Sequence, residues 1–349
     1  MKNKSMKVSG RAVGAGHPAL IVAELSGNHN HDIKRAIKII DAAAEAGADA
    51  IKLQTYTPDT LTIKSATKPF RVTWKGKRRT LYDLYEEAYT PWEWHKELFA
   101  HAKKRGLICF STPFDNSAVD FLEKLGQPIY KVASFEIIDI PLLERIGKTK
   151  KPVILSRGMA SVEEIRLALK TLRKFGTKDI VLLHCISAYP ARPKDMHLST
   201  IPDMRTRFGV SVGLSDHTLG IDVAIAAVAL GAVIIEKHLT LRRKDGGPDS
   251  SFSLEPNEFA EMVRGVRTVE DALGRPSYSE STYEKKNIVF RKSLFVVRDM
   301  KKGETFTPDN VRSIRPGNGL APKFYRSVVG KRAARDISRA TPLHNGLIA

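Results

Sequence analysis

Eight short runs of aliphatic residues recur through the first 238 positions, and each closes on polar or charged side chains rather than on further aliphatic ones. The runs cover 20–24, 50–54, 108–112, 129–134, 153–156, 180–185, 210–214 and 233–238. Amphipathic stretches separate them, among them 33–46, 92–105, 117–125, 162–175 and 223–230. Several such stretches stop at a glycine (Gly47, Gly106, Gly126, Gly176, Gly231), the residue that most readily takes the backbone turn ending a helix. Short apolar strands alternating with helices bury both strand faces only in a parallel sheet with the helices outside. Eight such units predict an α/β fold, a TIM (β/α)8 barrel over residues 1–273.

One connection is too long for a plain turn. Between Gln54 and Pro91 the chain is rich in aromatic and basic residues, which predicts either a lid or binding loop or a decoration packed on the barrel wall. After a helix over 257–273 the pattern changes. Pro276, Ser277, Ser279, Ser281 and Thr282 mark a polar linker over 274–290, and residues 291–349 read as a small β-rich domain. A unit of that size is marginal alone and is expected to dock on something.

The formal charge of +19 admits two readings, a nucleic-acid or other polyanion partner and a small anionic substrate. Residues 291–349 hold thirteen Lys and Arg against four Asp and Glu, a net of +9. No helix-turn-helix, zinc-finger or aromatic-basic RNA pattern accompanies that charge, so a solvated basic surface with an anionic substrate is favoured and nucleic acid is not. A hydrophobic content of 42% is that of a globular protein. No apolar run approaches the roughly 18 residues of a membrane span, and MKNKSMKVSG lacks the apolar core of a signal peptide, so a cytoplasmic location is expected. Cys109 and Cys185 lie inside strand patterns, where a thiol behaves as a small hydrophobe; neither belongs to a disulfide framework or a zinc motif.

Barrel chemistry sits at the C-terminal ends of the strands. There the sequence places Glu24, with Ser26, Asn28 and His29 behind it, then Lys52 and Gln54, Ser111 and Thr112, Lys131 and Ser134, and Ser156 and Arg157. His184, Ser187 and Tyr189 follow, then Ser215, Asp216 and His217, and finally Glu236, Lys237 and His238. A buried charge costs several kcal/mol unless it is paired, so stability does not explain this set. Lys52, Lys131, Ser134, Ser156 and Ser215 suit a phosphate plus a carboxylate. A solvated rim, or a Schiff-base lysine, would use the same lysines differently. His217 and His238 end consecutive strands and can converge on one divalent transition metal, leaving positions open; each alone is equally a surface or hydrogen-bonded histidine.

The motifs IVAELSGNHNHD, AGADAIKLQTY, CFSTPFD, YKVASFE, GLSDHT, IEKHLTL, DGGPDSSFSLEP and RPGNGL jointly carry a resemblance to the sialic acid synthase family, and within it to the branch that makes pseudaminic acid. The resemblance covers nearly the whole chain. It implies a TIM barrel joined to a C-terminal antifreeze-like (SAF) domain, in a domain-swapped homodimer whose tails cap the partner barrels. It also implies condensation of phosphoenolpyruvate with an N-acetylated amino sugar, using a divalent metal, commonly manganese, with magnesium or cobalt as alternatives. By resemblance the metal ligands are His217 and His238. Phosphoenolpyruvate meets Lys52, Thr112, Lys131, Ser134, Ser156 and Ser215, and the catalytic groups are Glu24, Lys52 and Lys131. The sugar meets Glu24, Gln54, Ser187, Tyr189, Asp249 and, from the partner, Arg315. Ser187 stands where sialic acid synthases usually have a sugar-contacting asparagine, and DGGPDSSFSLEP carries serines where they tend to read otherwise. With the long 74–95 segment, these departures point to a sugar other than N-acetylmannosamine, and the sugar that the resemblance favours is 2,4-diacetamido-2,4,6-trideoxy-L-altrose. The same chemistry on N-acetylmannosamine or the legionaminic acid precursor, a metal-independent Schiff-base aldolase and a basic polyanion-binding protein are the competing readings.

Overall fold

The computed structural model describes residues 5–74 and 76–349, which divide into two compact units, one ending at Gly274 and one beginning at Arg275. The first unit is the barrel. Its strands are β1 (Leu20–Glu24), β2 (Ala50–Thr55), β3 (Ile108–Pro113), β4 (Tyr130–Val132), β5 (Val153–Ser156), β6 (Ile180–Cys185), β7 (Ser211–Asp216) and β8 (Ile234–His238). All ladder neighbours are parallel, in the order β3-β2-β1-β8-β7-β6-β5-β4, so the last strand pairs with the first and His238 faces Glu24 across that ladder. β4 is shorter than the run 129–134 suggested, which leaves Ser134 in the loop beyond it.

β3 and β4 lie side by side and make the seam of the near-closed barrel. At this seam a side chain stands in for the missing ladder. The Ser111 backbone N–H donates to Gln127 Oε1 at 2.7 Å, and Gln127 Nε2 donates back to the Ser111 carbonyl at 3.0 Å, with Gln127 fully buried.

Period-two alternation sorts each strand into an outer and an inner face. Ile21, Ala23, Ile51, Leu53, Leu155, Leu182, Leu214 and Ile235 face outward and pack with the surrounding helices in the main core. Those helices start where the sequence offers caps: Asp32 accepts from Lys34 N before Ile33–Glu45, and Ser161 with Glu164 forms a capping box before Val162–Phe175. Leu20, Val22, Phe110, Ile154, Val181, Leu183 and Ile234 face inward and form a second core with Met6, Val8 and Val13 of the hairpin Met6–Val8/Arg11–Val13. The barrel is full at this level. A Cβ on Gly213 would stand 2.6 Å from the Ile234 carbonyl oxygen and 2.7 Å from Leu183 Cδ2.

The 55–90 excursion folds into a short helix (Pro58–Leu61), a hairpin (Arg71–Trp74 with Lys77–Thr80) and a helix (Leu81–Ala88). Val72, Trp74, Leu81, Leu84 and Tyr85 line the central cavity, so the excursion is a binding wall and not a peripheral decoration. Of the second unit, strands Ser293–Val296 and Val311–Ile314 pair antiparallel, and Leu294, Val296, Met300, Phe306, Val311, Val328, Ile337 and Leu343 form its own core. The stretch expected as a plain linker carries a short helix, Thr282–Asn287. Among the described residues no helix is long and apolar enough to cross a membrane.

Candidate active site

One step of two residues beyond the aliphatic plug, the inward positions become Glu24, Lys52, Thr112, Lys131, Ser156, Ser215 and Glu236, all buried. All of them but Thr112, which lies against Lys52, line a cavity of about 530 Å³ at the C-terminal mouth of the barrel. Glu236 is the hub. Its Oε1 accepts from Lys131 Nζ at 2.9 Å and Ser215 Oγ at 3.1 Å, and lies 3.2 Å from Lys52 Nζ. Lys52 Nζ also meets Glu24 Oε2 at 2.8 Å and Thr112 Oγ1 at 3.4 Å.

The sequence suggested a cationic floor, whereas the structure balances its two ammonium groups with two carboxylates. Burial alone would raise the Glu236 carboxyl, but Lys131 and Lys52 outweigh it and hold it well below the usual carboxylate range. For Lys52 burial opposes the charge, and Glu236 and Glu24 overcome it and push the ammonium above its ordinary value. Lys131 goes the other way, because burial outweighs its contact with Glu236. Glu24 is raised by burial against the pull of Lys52, which suits a group that exchanges a proton. Two buried polar atoms of this floor, Ser156 Oγ and Glu236 Oε2, have no hydrogen-bond partner. A floor with unspent hydrogen-bonding capacity is built to receive a polar ligand.

The rings of His217 and His238 approach to 5.4 Å between centroids. His217 Nδ1 bonds the Ile186 carbonyl at 3.0 Å as donor, so Nε2 is the nitrogen left for a ligand. Burial first, then His217 and Lys52, keep His238 well below its ordinary value and therefore neutral, as a ligand must be. Its Nδ1 makes no hydrogen bond, with Asp249 Oδ2 at 3.9 Å. Among the described residues no group of three or more His, Cys, Asp or Glu gathers as a metal cage. Burial opposes a charge on His217, but Cys185 beside it outweighs burial and raises that imidazole above its ordinary value, so a divalent ion held by the two rings, with positions left open, would displace a proton from His217. Behind them a buried ion pair, Lys237 Nζ to Asp216 Oδ2 at 2.6 Å, fixes the loop, with Asp216 accepting from Thr218 N and Oγ1. Asp216 and Lys237 are thus structural supports for the histidines.

Gln54, Ser134, Ser187, Tyr189 and Asp249 line the same cavity, whereas the strand-end candidates Asn28, His29, Ser111, Arg157 and His184 do not. Gln54 Nε2 donates to Glu24 Oε1 at 3.0 Å and to Ser26 Oγ at 3.2 Å, and Ser26 in turn donates to Asp249. Tyr189 lies against His217 at 4.4 Å between ring centroids, and Ser187 bonds Ser134 at 2.8 Å. Gly158 makes room for that pair: its φ is +45°, and a Cβ there would stand 2.3 Å from Ser134 Cβ. Arg315 belongs to the second unit, exposed just after the strand Val311–Ile314.

Sequence reasoning placed Ser26 and Glu236 at strand ends without giving either a role, read Cys185 as packing, and did not single out Trp74 or the nearby Glu136. Glu236 was within reach, since it shares the inward face with His238. Cys185 lines the cavity, with Sγ 3.9 Å from His217 Nδ1. Trp74 arrives from the excursion, its ring 6.4 Å from that of Tyr189. Burial pushes the Glu136 carboxyl up to about 7, and its Oε2 is enclosed without a hydrogen-bond partner.

Comparison with known proteins places this geometry. The model of the NeuB family matches residues 39–278 and that of the SAF domain matches residues 291–349. The pseudaminic acid synthase of Helicobacter pylori is 44% identical over 93% of this chain and 96% of its own. That of Campylobacter jejuni serotype O:2 is 45% identical, covering 93% and 95%. Among solved structures, the N-acetylneuraminic acid synthetase of Leptospira borgpetersenii in complex with citrate superposes with a TM-score of 0.73 at 33% identity, covering 82% of this chain and 95% of that one. With its barrel, its strand-end floor of paired lysines and carboxylates, and these matches along nearly its full length, the chain belongs to the NeuB family.

Proposed function

We propose that the enzyme condenses phosphoenolpyruvate with 2,4-diacetamido-2,4,6-trideoxy-L-altrose to give pseudaminic acid and phosphate, a C–C bond-forming transfer. The observation that carries the reading is the floor: Lys52 and Lys131 and the hydroxyls of Ser134, Ser156 and Ser215 beside the imidazoles of His217 and His238, all in one cavity. The identity to two pseudaminic acid synthases supports the choice of sugar.

Lys52, Lys131, Thr112, Ser134, Ser156 and Ser215 hold the phosphate and carboxylate of phosphoenolpyruvate, drawing on the bonds they now give to Glu236 and Glu24. Gln54, Tyr189, Ser187 and Asp249 position the open-chain sugar so that the vinyl C3 attacks its aldehyde carbon. Positive charge develops at C2, where Glu24 and Glu236 stabilise it. Water adds to C2 and loses a proton, and Glu24, with its raised pKa, is the group that relays it. The bond between C2 and the bridging oxygen then breaks, and phosphate leaves into the lysine cradle. His217 and His238 would hold a divalent ion, manganese with magnesium or cobalt as alternatives, which supplies polarisation of the sugar carbonyl.

A domain-swapped homodimer in the cytoplasm completes the reading. Phe135, Ile138, Met159 and Leu219, in the loops after β4, β5 and β7, are each more than half exposed, an apolar rim that suits a capping domain. Arg315 then reaches the sugar from the partner. Mixing Arg315→Ala with His238→Ala protein tests this: activity recovered in the mixture requires shared sites, and no recovery refutes the swap.

Phosphate release is the direct test of the reaction, measured with manganese and the altrose sugar, N-acetylmannosamine, the legionaminic acid precursor or no sugar, with and without EDTA. Release is expected only with the altrose sugar and only without EDTA. Equal release with N-acetylmannosamine would move the substrate assignment, and release that ignores EDTA would remove the metal. Oxygen-18 in the bridging position should appear in phosphate; its retention in the sugar would rule out C–O cleavage.

A further inference from the structure

The opposite mouth of the barrel holds a second cavity, of about 320 Å³, that the proposed reaction does not use. Its floor is apolar, from Met6 and Val13 of the N-terminal hairpin with Val181 and Val212 at the starts of β6 and β7 and Val233 just before β8. Its rim is basic, made by Arg173, Lys178 and Arg205, with Asp179 as the one acid. Among the described residues none of the three cations is held in an ion pair.

Two features separate this cavity from ordinary surface basicity. Arg173 and Arg205 lie in the last turns of the helices Val162–Phe175 and Thr200–Phe208, where cations complement the helix dipole, and that alone would need no cavity. Lys178, however, lies in the turn beyond the first helix. Arg205 is also seated: a Cβ on Gly231, whose φ is +92°, would stand 2.6 Å from Arg205 Nη1, so the guanidinium rests against bare backbone. Beyond the rim, Arg173 is shared with a neighbouring groove lined by Arg166, Lys170 and Lys174, so a positive field leads into the cavity.

We infer that this cavity binds a small phosphate ester with a flat apolar body, of nucleoside monophosphate size. The volume lies at the low end of the roughly 300–1,000 Å³ of small-molecule pockets. The flat body rests on the valine and methionine floor. The phosphate meets Arg173 and Arg205, whose guanidinium forks match its oxygens, and the ammonium of Lys178. Asp179 accepts from an amino or hydroxyl group of the ligand.

Calorimetric titration of the full-length protein with AMP, GMP, CMP and UMP tests this, with adenosine and inorganic phosphate as part-ligand controls. At least one nucleotide should bind more tightly than either control. Arg173→Ala and Arg205→Ala, both exposed changes that should leave the melting temperature in place, should each weaken it about tenfold, the usual loss for one charged hydrogen bond. Lys131→Ala, in the other cavity, should leave this affinity unchanged. Binding lost in Lys131→Ala but kept in Arg205→Ala would put the nucleotide on the catalytic floor and overturn the proposal. Absence of binding by all four would overturn it too, and so would inorganic phosphate binding as tightly as the best nucleotide.

Discussion

Along the barrel strands a step of two residues separates an inward apolar side chain from an inward polar one: Val22 from Glu24, Ala50 from Lys52, Phe110 from Thr112, Ile154 from Ser156, Ile234 from Glu236. Both layers are buried and both belong to the same strands, yet their energetics are opposed. The lower layer removes hydrocarbon from water, at about 1.5–3 kcal/mol per large side chain. The upper layer removes two ammonium and two carboxylate groups from water, and their mutual attraction does no more than offset that cost. The barrel is therefore held together by one half of its interior and equipped for chemistry by the other.

The sharpest way to break this comparison is to make the upper layer resemble the lower. Lys131→Met with Glu236→Leu leaves Lys52 paired with Glu24 and should be neutral or stabilising by about 1–4 kcal/mol, because an ion pair gives way to packed hydrocarbon. Phosphate release should fall by about 10³-fold or more, the scale expected when groups aimed at developing charge are removed. Urea denaturation and the phosphate assay together decide it; a large loss of stability would mean the charged floor holds the barrel together after all.

The converse change attacks the plug. Phe110→Ala should cost about 3–5 kcal/mol while the kcat of the folded fraction stays within a few-fold. A selective collapse of kcat would show that the two layers are not separable. Next in size is the seam. Gln127→Leu strands the Ser111 N–H and carbonyl and should cost about 1–3 kcal/mol for each group left unsatisfied. Hydrogen exchange at Ser111 should accelerate; unchanged protection would show that another group seals the seam.

Glu136 sharpens the comparison through pH. Its carboxyl is raised by burial from 4.5 to about 7, so the folded state holds its proton more tightly than the unfolded chain does. Stability contributed by the protonated form is full below about 4.5, declines as pH rises and is lost once pH passes about 7. Wild type should therefore lose stability relative to Glu136→Gln between those values, seen as a falling difference in urea midpoint; a constant difference would deny the shift. The smallest effect is expected at the excursion wall, where Trp74→Ala should raise KM for the sugar by about two- to tenfold, the worth of one aromatic contact, with KM for phosphoenolpyruvate unchanged. An equal rise in both would make Trp74 a general wall rather than a sugar contact.

Local pattern was enough for the barrel, because hydrophobic period and helix stops are short-range signals that repeat with every βα unit. It was enough also for the ring of strand-end groups, since in this fold a strand's last inward residues have only one place to go. The pairing of His217 with His238 follows from the same rule. Three things were decided only by the tertiary structure. The charge of the floor depends on which lysine meets which carboxylate, and Glu236 touches partners from β2, β4 and β7 that lie 21 to 184 residues away. The role of the 55–90 segment depends on where its hairpin lands, which its own composition does not encode. The raised pKa of Glu136 depends on desolvation by elements distant in sequence. Sequence fixes what a residue is and which face of its element it takes; burial and charge pairing are properties of the assembled interior, and only the fold sets them.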